Sequence, residues 1–377
     1  MRKRLLIMEL LPSSLPYKLL YFLKDYFDIT LISLTSKEKY SEERYKKLGI
    51  KVHSFNFQGE RYWKDKKFFS FFKETINFIF KFLKIKRKKF DFVLGVTAPN
   101  YVGYFLFKMF KKSKKIYFPY DIKFFMLGKQ KRSKIDVISE KYCFKNADFI
   151  IAKGEKNQLN LITKNEVERI KGKSIRFLPY CFDEWIVPIK KKKDKLKGIH
   201  LVYIGSFDNY SPTFKIQYPE LYKIFSKQGI SVHLYPTTPV NENLKNLVQI
   251  HKPLPNLDLN NELGKYHYGI NITFHKEKLL DKRWIKTCVS NTIFSYLEAG
   301  IPVIVNEEIE FMASIIKKYS CGVVISEKDL PNLKKILEKQ NYSKLLKGVE
   351  KARKDLNMGK EIKRIVNELN INHYDNN

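Results

Sequence analysis

Acidic residues are scarce in this chain. Asp and Glu number 39 against 72 Lys and Arg, which leaves a formal net charge of +33 at pH 7. Such an imbalance draws a protein toward something anionic: nucleic acid, an acidic membrane surface or phosphorylated substrates. The plainer alternative is a solvated lysine-rich surface. No nucleic-acid recognition motif accompanies the charge, so no nucleic acid is expected as a partner. Cysteine is scarcer still. Cys143, Cys181, Cys288 and Cys321 form no CxxC pair and flank no metal-ligand His, which excludes a recognisable zinc site and a disulfide framework. No signal peptide opens the chain, and the expected compartment is a reducing cytoplasm. Lysines interrupt every apolar run well before the roughly 20 residues of a membrane-spanning helix. No short-period repeat is present, which excludes a solenoid.

What the chain does have is apolar content for two cores. Hydrophobic residues make up 44% of 377, and 29 Phe and 23 Tyr raise the aromatic share to 15%. The length suits two domains. Residues 3–9, "KRLLIME", read as a buried strand, followed by a Pro/Ser loop, the helix "YKLLYFLKDYF" and the strand "DITLISL". "FDFVLGVT", "KIYFPYD", "ADFIIAKG" and "SIRFLPY" continue the strands, with helical segments between them. Strands alternating with helices predict a parallel sheet covered on both faces. A like-charge run at 189–198, "IKKKKDKLKG", reads as a linker. The alternation then restarts with "IHLVYIGSF", "ISVHLYPT", "LVQIHKPLP", "YGINITF", "IPVIV" and "CGVVIS". The expected domains are therefore 1–188, a linker at 189–198, 199–345, and a lysine-rich helical tail at 346–377. Two doubly wound α/β domains place ligands at the carboxyl ends of their strands, in a cleft between them.

The densest chemical signal is "SNTIFSYLEAGIPVIV", residues 290–305. A helix starting at Ser290 and Asn291 exposes amide groups without intrahelical partners at its positive end, which suits a phosphate. Lys276, Lys278, Lys282 and Arg283 lie just upstream as cations for a diphosphate. An ordinary Ser cap beside a solvated basic loop accounts for the same residues.

This segment resembles the "NK-[IL]-F-[ED]-Y-[LM]-A-[AS]-G-[KLI]-P-V-I" stretch of GT-B glycosyltransferases of the family 4 type. "LVYIGSF", "HKPLP…ELGKYHYGINI", "ADFIIAKG" and "RFLPYCFDEW" resemble further segments of that family in the same order. The resemblance implies two Rossmann-like domains facing a cleft, with a C-terminal helix crossing back to the first. It implies transfer of a sugar from a nucleoside diphosphate-sugar, which is a substrate rather than a cofactor, and no cofactor is expected. It also implies donor contacts at Gly205, Ser206, Leu254, Lys282, Arg283, Ser290, Asn291, Thr292 and Ser295. The family's ribose-binding acid is replaced by Ser295, its partner acid eight residues earlier by Thr287, and its frequent Lys by Thr292. Glu298, three residues further on, is read as facing another part of the helix surface, and the role is not moved to it. No DxD-like pair lies near the donor segment, so no metal is expected.

In the first half, Asp121 resembles the family's "H-D" position, where a carboxylate orients or deprotonates an acceptor hydroxyl; a turn cap is the competing reading. Glu9, Ser13 and Ser14 sit where relatives carry a glycine-rich acceptor loop. His53 and His267 read as structural, and His275 as a residue near the donor segment. The stretch 66–90 combines lysines with Phe69, Phe72, Ile76, Ile79, Phe80 and Leu83 at three- and four-residue spacing. That pattern fits either a core-facing helix or an interfacial helix on anionic lipid. The expected activity is glycosyl transfer to an envelope glycan or lipid-linked acceptor, with peripheral contact to the inner face of the membrane. The alternatives are a non-catalytic GT-B subunit and, with few carboxylates to support it, a sugar-nucleotide epimerase.

Overall fold

A computed structural model describes residues 2–9, 14–34, 39–55, 68–96, 100–119, 134–152, 174–191, 196–205, 218–237, 239–240, 242–272, 286–287 and 289–370. The chain divides into two compact units, residues 1–178 with 359–377, and residues 179–358.

The first unit is a seven-stranded sheet in the order β3-β2-β1-β4-β5-β6-β7. Its strands are β1 (Lys3–Glu9), β2 (Phe27–Ser33), β3 (Lys51–Ser54), β4 (Phe92–Val96), β5 (Lys114–Phe118), β6 (Phe149–Ala152) and β7 (Ser174–Phe177). Every pairing is parallel. The helices are α1 (Ser14–Leu23), α2 (Lys39–Lys47), α3 (Phe68–Lys86), α4 (Asn100–Met109) and α5 (Lys134–Asn146). Central strands are buried on both faces, so their sequences run apolar without alternation; β4, "FVLGV", is buried throughout. Much of the aromatic content is spent here. Phe82 packs on Phe105 and Phe110, Phe27 on Phe92, and Tyr117 on Phe144.

The second unit is a six-stranded parallel sheet in the order β10-β9-β8-β11-β12-β13. It comprises β8 (Ile199–Gly205), β9 (Ile230–Pro236), β10 (Gln249–Ile250), β11 (Tyr268–Asn271), β12 (Val303–Asn306) and β13 (Gly322–Ile325). Around it lie α6 (Tyr218–Lys227), α7 (Asn256–Leu263), α8 (Asn291–Glu298), α9 (Glu310–Tyr319), α10 (Leu333–Glu338) and α11 (Tyr342–Asp355). In both sheets the strand order reverses at the first strand, between β1 and β4 and between β8 and β11. Such reversal points open a crevice at the carboxyl ends of the strands.

Some elements differ from the sequence reading. Residues 179–187 pack with the second unit, because buried groups of that unit hold their backbone. Phe182 N–H donates to the Glu298 carboxylate at 2.8 Å, and the Arg353 guanidinium donates to Val187 O at 2.8 Å. The tail is two helices rather than one. α11 stays with the second unit, the chain is pinned where Met358 N–H donates to Cys181 O (2.9 Å), and α12 (Met358–Glu368) enters the first unit. There Arg176 of β7 pairs with Glu368 at 2.6 Å. The polar α2, "KYSEERYKK", and the short edge strand β3 carry too little apolar pattern to be read in advance.

Candidate functional site

The segment 290–298 forms α8 beside the reversal point of the second sheet. Ser290 is its N-cap, with extended backbone, and its hydroxyl accepts from Thr292 N–H at 3.3 Å. The Ser290 and Thr292 hydroxyls lie 2.7 Å apart. Asn271, the last residue of β11, donates its amide to the Thr292 hydroxyl at 2.9 Å. Helix start and strand end are thus joined by a side-chain chain of Asn271, Thr292 and Ser290. The cap occupies one first-turn amide, and the others keep the outward orientation that attracts anions. Asn291 is exposed, and Ser295 is half-buried one turn beyond Thr292. Lys286, just upstream, is paired with Glu310 at 2.6 Å.

Tyr296 explains how the crevice is held open. β8 and β11 pair at Tyr268↔Leu201 and Gly269↔Val202. Beyond that point the Tyr296 hydroxyl takes the place of the ladder, accepting from Ile204 N–H and donating to Ile270 O, each at 3.2 Å. The ring lies against Gly269, where a Cβ would sit 2.2 Å from Tyr296 Cγ. Only glycine admits this ring between strand and helix. β8 then ends at Gly205, whose φ of +145° favours a residue without a Cβ.

The acid of this helix is committed elsewhere. Glu298 is fully buried, accepts from Phe182 N–H at 2.8 Å and from the Asn260 amide at 3.4 Å, and so fastens 179–187 to α8. Leu254 lies on the exposed backbone after β10, two strands from β8. Ser206, Lys282, Arg283, Ser13, Asp121 and His275 fall outside the described residues, and Ser14 opens α1.

Glu9 ends β1 at the reversal point of the first sheet. It is 3% exposed, and neither carboxylate oxygen has a hydrogen-bond partner among the described residues. Burial without a compensating partner pushes its pKa up to about 8. A carboxyl group near neutrality at a strand's carboxyl end can accept or give a proton. Sequence placed Glu9 at the acceptor loop but gave no sign of this burial.

Sequence also passed over Asn271, Tyr296 and a row of histidines. Asn271 stood out only as an amide within the apolar run "YGINITF". His200, His233 and His251 come from β8, β9 and the residue after β10. Their rings link at 2.8 Å (His200 Nδ1 to His233 Nε2) and 2.9 Å (His233 Nδ1 to His251 Nε2). His200 Nε2 lies 2.8 Å from Lys197 O. A carbonyl only accepts, so that nitrogen carries the proton, and the row is satisfied with all three rings neutral. His267 is buried and accepts from His200 N–H at 3.3 Å. Burial, then repulsion from His200 and His251, lowers the His233 pKa to about 4. A base whose folded pKa is depressed lets the unfolded chain bind more protons, so stability falls as pH drops from about 6.5 toward 4. Denaturant midpoints measured across that range should decline with acid, and His233→Gln should flatten the slope.

The comparisons fit this geometry. Residues 201–369 match the family model described as "Glucosyltransferase 3-like, C-terminal domain", the span that contains α8, Tyr296 and Asn271. Anabaena HepE in complex with UDP is structurally similar, with a TM-score of 0.65 at 12% identity over 98% of this chain and 100% of that one. Arabidopsis thaliana UGT89C1 complexed with UDP-L-rhamnose gives 0.59 at 11% identity, covering 98% and 99%. S. aureus MnaA with UDP gives 0.53 at 11%, covering 100% and 99%. No curated protein matches the chain in sequence at a significant level. The fold is that of the GT-B glycosyltransferases. Within that class, the second half is similar to the C-terminal domain of the glucosyltransferase 3-like proteins.

Proposed function

We propose that this chain transfers a sugar from a uridine diphosphate-sugar to an envelope glycan or lipid-linked acceptor, without a metal, at the cytoplasmic face of a membrane. The observation that carries the reading is the start of α8 beside the β8–β11 crevice, inside the segment matched by the glucosyltransferase model. The diphosphate would meet the first-turn amides, Asn291 and the cations Lys282 and Arg283, which stabilise charge on the departing nucleotide. Gly205 and Ser206 would close on it from β8, Leu254 would flank the base, and Ser295 would hold a ribose hydroxyl as a neutral partner. UDP as the nucleotude's base and phosphates is supported by the ligands in the HepE, UGT89C1 and MnaA structures. The acceptor hydroxyl would lie with Glu9, Ser13, Ser14 and Asp121 at the carboxyl edge of the first sheet. No helix among the described residues is long and apolar enough to cross a membrane, which agrees with peripheral attachment.

The test is a thermal-shift screen with nucleoside diphosphates and their sugars. UDP and at least one UDP-sugar should raise the melting temperature, and no response to any nucleotide would sink the donor reading. The neutral Ser295 also supports a second reading, a non-catalytic GT-B subunit. UDP binding without release of UDP from any UDP-sugar, with or without acceptor, would favour it.

A further inference from the structure

α3 has two apolar faces, and the described residues pack against only one of them. Phe82 and Ile85 are buried, and Phe78 packs on Phe55 at 5.0 Å and on Phe82 at 5.5 Å between ring centroids. On the other side Ile76, Ile79, Phe80 and Leu83 are 38%, 48%, 65% and 48% exposed. Their spacing of three, one and three residues draws one stripe along a helix. Lys73, Lys81, Lys84 and Lys86 of the same helix are exposed around it. The helix runs directly into a second feature, a hollow at the amino ends of β1, β4 and β5. Its lining includes Lys3, Lys86, Lys88, Lys89, Lys111 and Lys112, all exposed, and Asp91 is the only acid among the described residues that line it. Asp91 is already engaged, accepting from Arg4 N–H at 2.8 Å.

We infer that the α3 stripe and the basic hollow together form the docking surface for an anionic lipid bilayer. Ile79, Phe80 and Leu83 would enter the acyl boundary, and the lysines of the hollow would meet lipid phosphates. This deepens the membrane-side part of the proposed function, on which it rests for its purpose. Charge decides the occupant. A second copy docked on a two-fold axis through the stripe would set Lys81, Lys84 and Lys86 against themselves, whereas an anionic surface neutralises them. An apolar stripe of four side chains also finds no use on a phosphate backbone. The orientation suits the chemistry. α3 joins the end of β3 to the start of β4, so it runs antiparallel to the strands for about 28 Å at 1.5 Å per residue. Seated lengthwise in the interface, it holds the strands along the membrane plane, and the carboxyl edge with Glu9 opens beside the surface rather than away from it.

The test is co-sedimentation of the full chain with vesicles, without donor or acceptor, so that its outcome is independent of catalysis. The chain should sediment with vesicles of equimolar phosphatidylglycerol and phosphatidylcholine and stay in solution with phosphatidylcholine alone. Ile79→Ser with Phe80→Ser, and separately Lys111→Glu with Lys112→Glu, should each lower the bound fraction about tenfold. Circular dichroism and the UDP-induced thermal shift should remain those of the parent, which separates lost docking from lost fold. The inference is overturned if the parent does not prefer anionic vesicles or if both pairs bind them unchanged. It is equally overturned if the apolar pair only converts an oligomer to a monomer, or only abolishes binding to RNA.

Discussion

Gly269→Ala should unfold the donor half or empty it of nucleotide. The added Cβ would lie 2.2 Å from Tyr296 Cγ and 2.4 Å from Cδ2. That ring is fully buried, so it cannot swing into solvent as a surface side chain would. Either β11 or α8 must move, and both carry the chain of Asn271, Thr292 and Ser290. Overpacking a dense core costs about 1–3 kcal/mol in ordinary cases. Here the clash is with a ring that also holds two backbone groups, and a loss of about 3 kcal/mol or more is expected. UDP affinity should fall at least tenfold in whatever folded protein remains. Tyr296→Phe separates the two effects. It keeps the ring but strands Ile204 N–H and Ile270 O, each costing about 1–3 kcal/mol when left buried and unpaired. Gly264→Ala is the control, since a Cβ there meets nothing closer than 3.4 Å. Calorimetric unfolding with and without UDP reads all three. A Gly269→Ala protein that binds UDP like the parent would show that the packing at the β8–β11 crevice does not shape the donor site.

The same position shows how far the sequence could be read. Strand-helix alternation and the 290–305 segment were sufficient for two doubly wound sheets and for α8, because parallel strands buried on both faces leave long apolar runs. Ser290 was legible as a helix start for the same kind of reason, its hydroxyl being a local partner for a local amide. Tyr296 and Gly269 were not legible. A tyrosine within a helix and a glycine within a strand carry no period, and their meaning comes only from meeting across 27 residues of chain. The histidines failed in the same way, since His200, His233 and His251 are far apart in sequence and adjacent only through β8, β9 and β10. Glu298, three residues from Ser295 and so a neighbour on the helix surface, could not be set aside by helical geometry, and its actual work on Phe182 and Asn260 required the fold. α3 is the intermediate case. Its spacing fitted both a core face and a lipid face, and the helix carries a buried face and, apart from it, an exposed apolar stripe.

Glu9→Gln should make the protein more stable and less active, a pairing that few substitutions share. The carboxyl is buried without a hydrogen-bond partner among the described residues, and its pKa stands at about 8 against an ordinary 4.5. Between those values the folded chain binds the proton and the unfolded chain does not, so stability is full below pH 4.5 and is lost as pH rises toward 8. At pH 7 the deficit is on the order of 3 kcal/mol relative to a group that never ionises. Glutamine cannot ionise, but its amide also needs partners in that site, so about 1 kcal/mol or more of the deficit should be recovered. A carboxyl kept this way against its own stability is the behaviour of a group retained for chemistry. If it holds or deprotonates the acceptor hydroxyl, Glu9→Gln should lower turnover by about 100-fold or more while leaving the UDP thermal shift unchanged. The pH profile gives the signature: parent activity should rise with pH through about 8 as the carboxylate forms, and the variant should lose that limb. Parent-level turnover in a stabilised Glu9→Gln protein would remove Glu9 from the acceptor site and leave its burial as a purely structural strain.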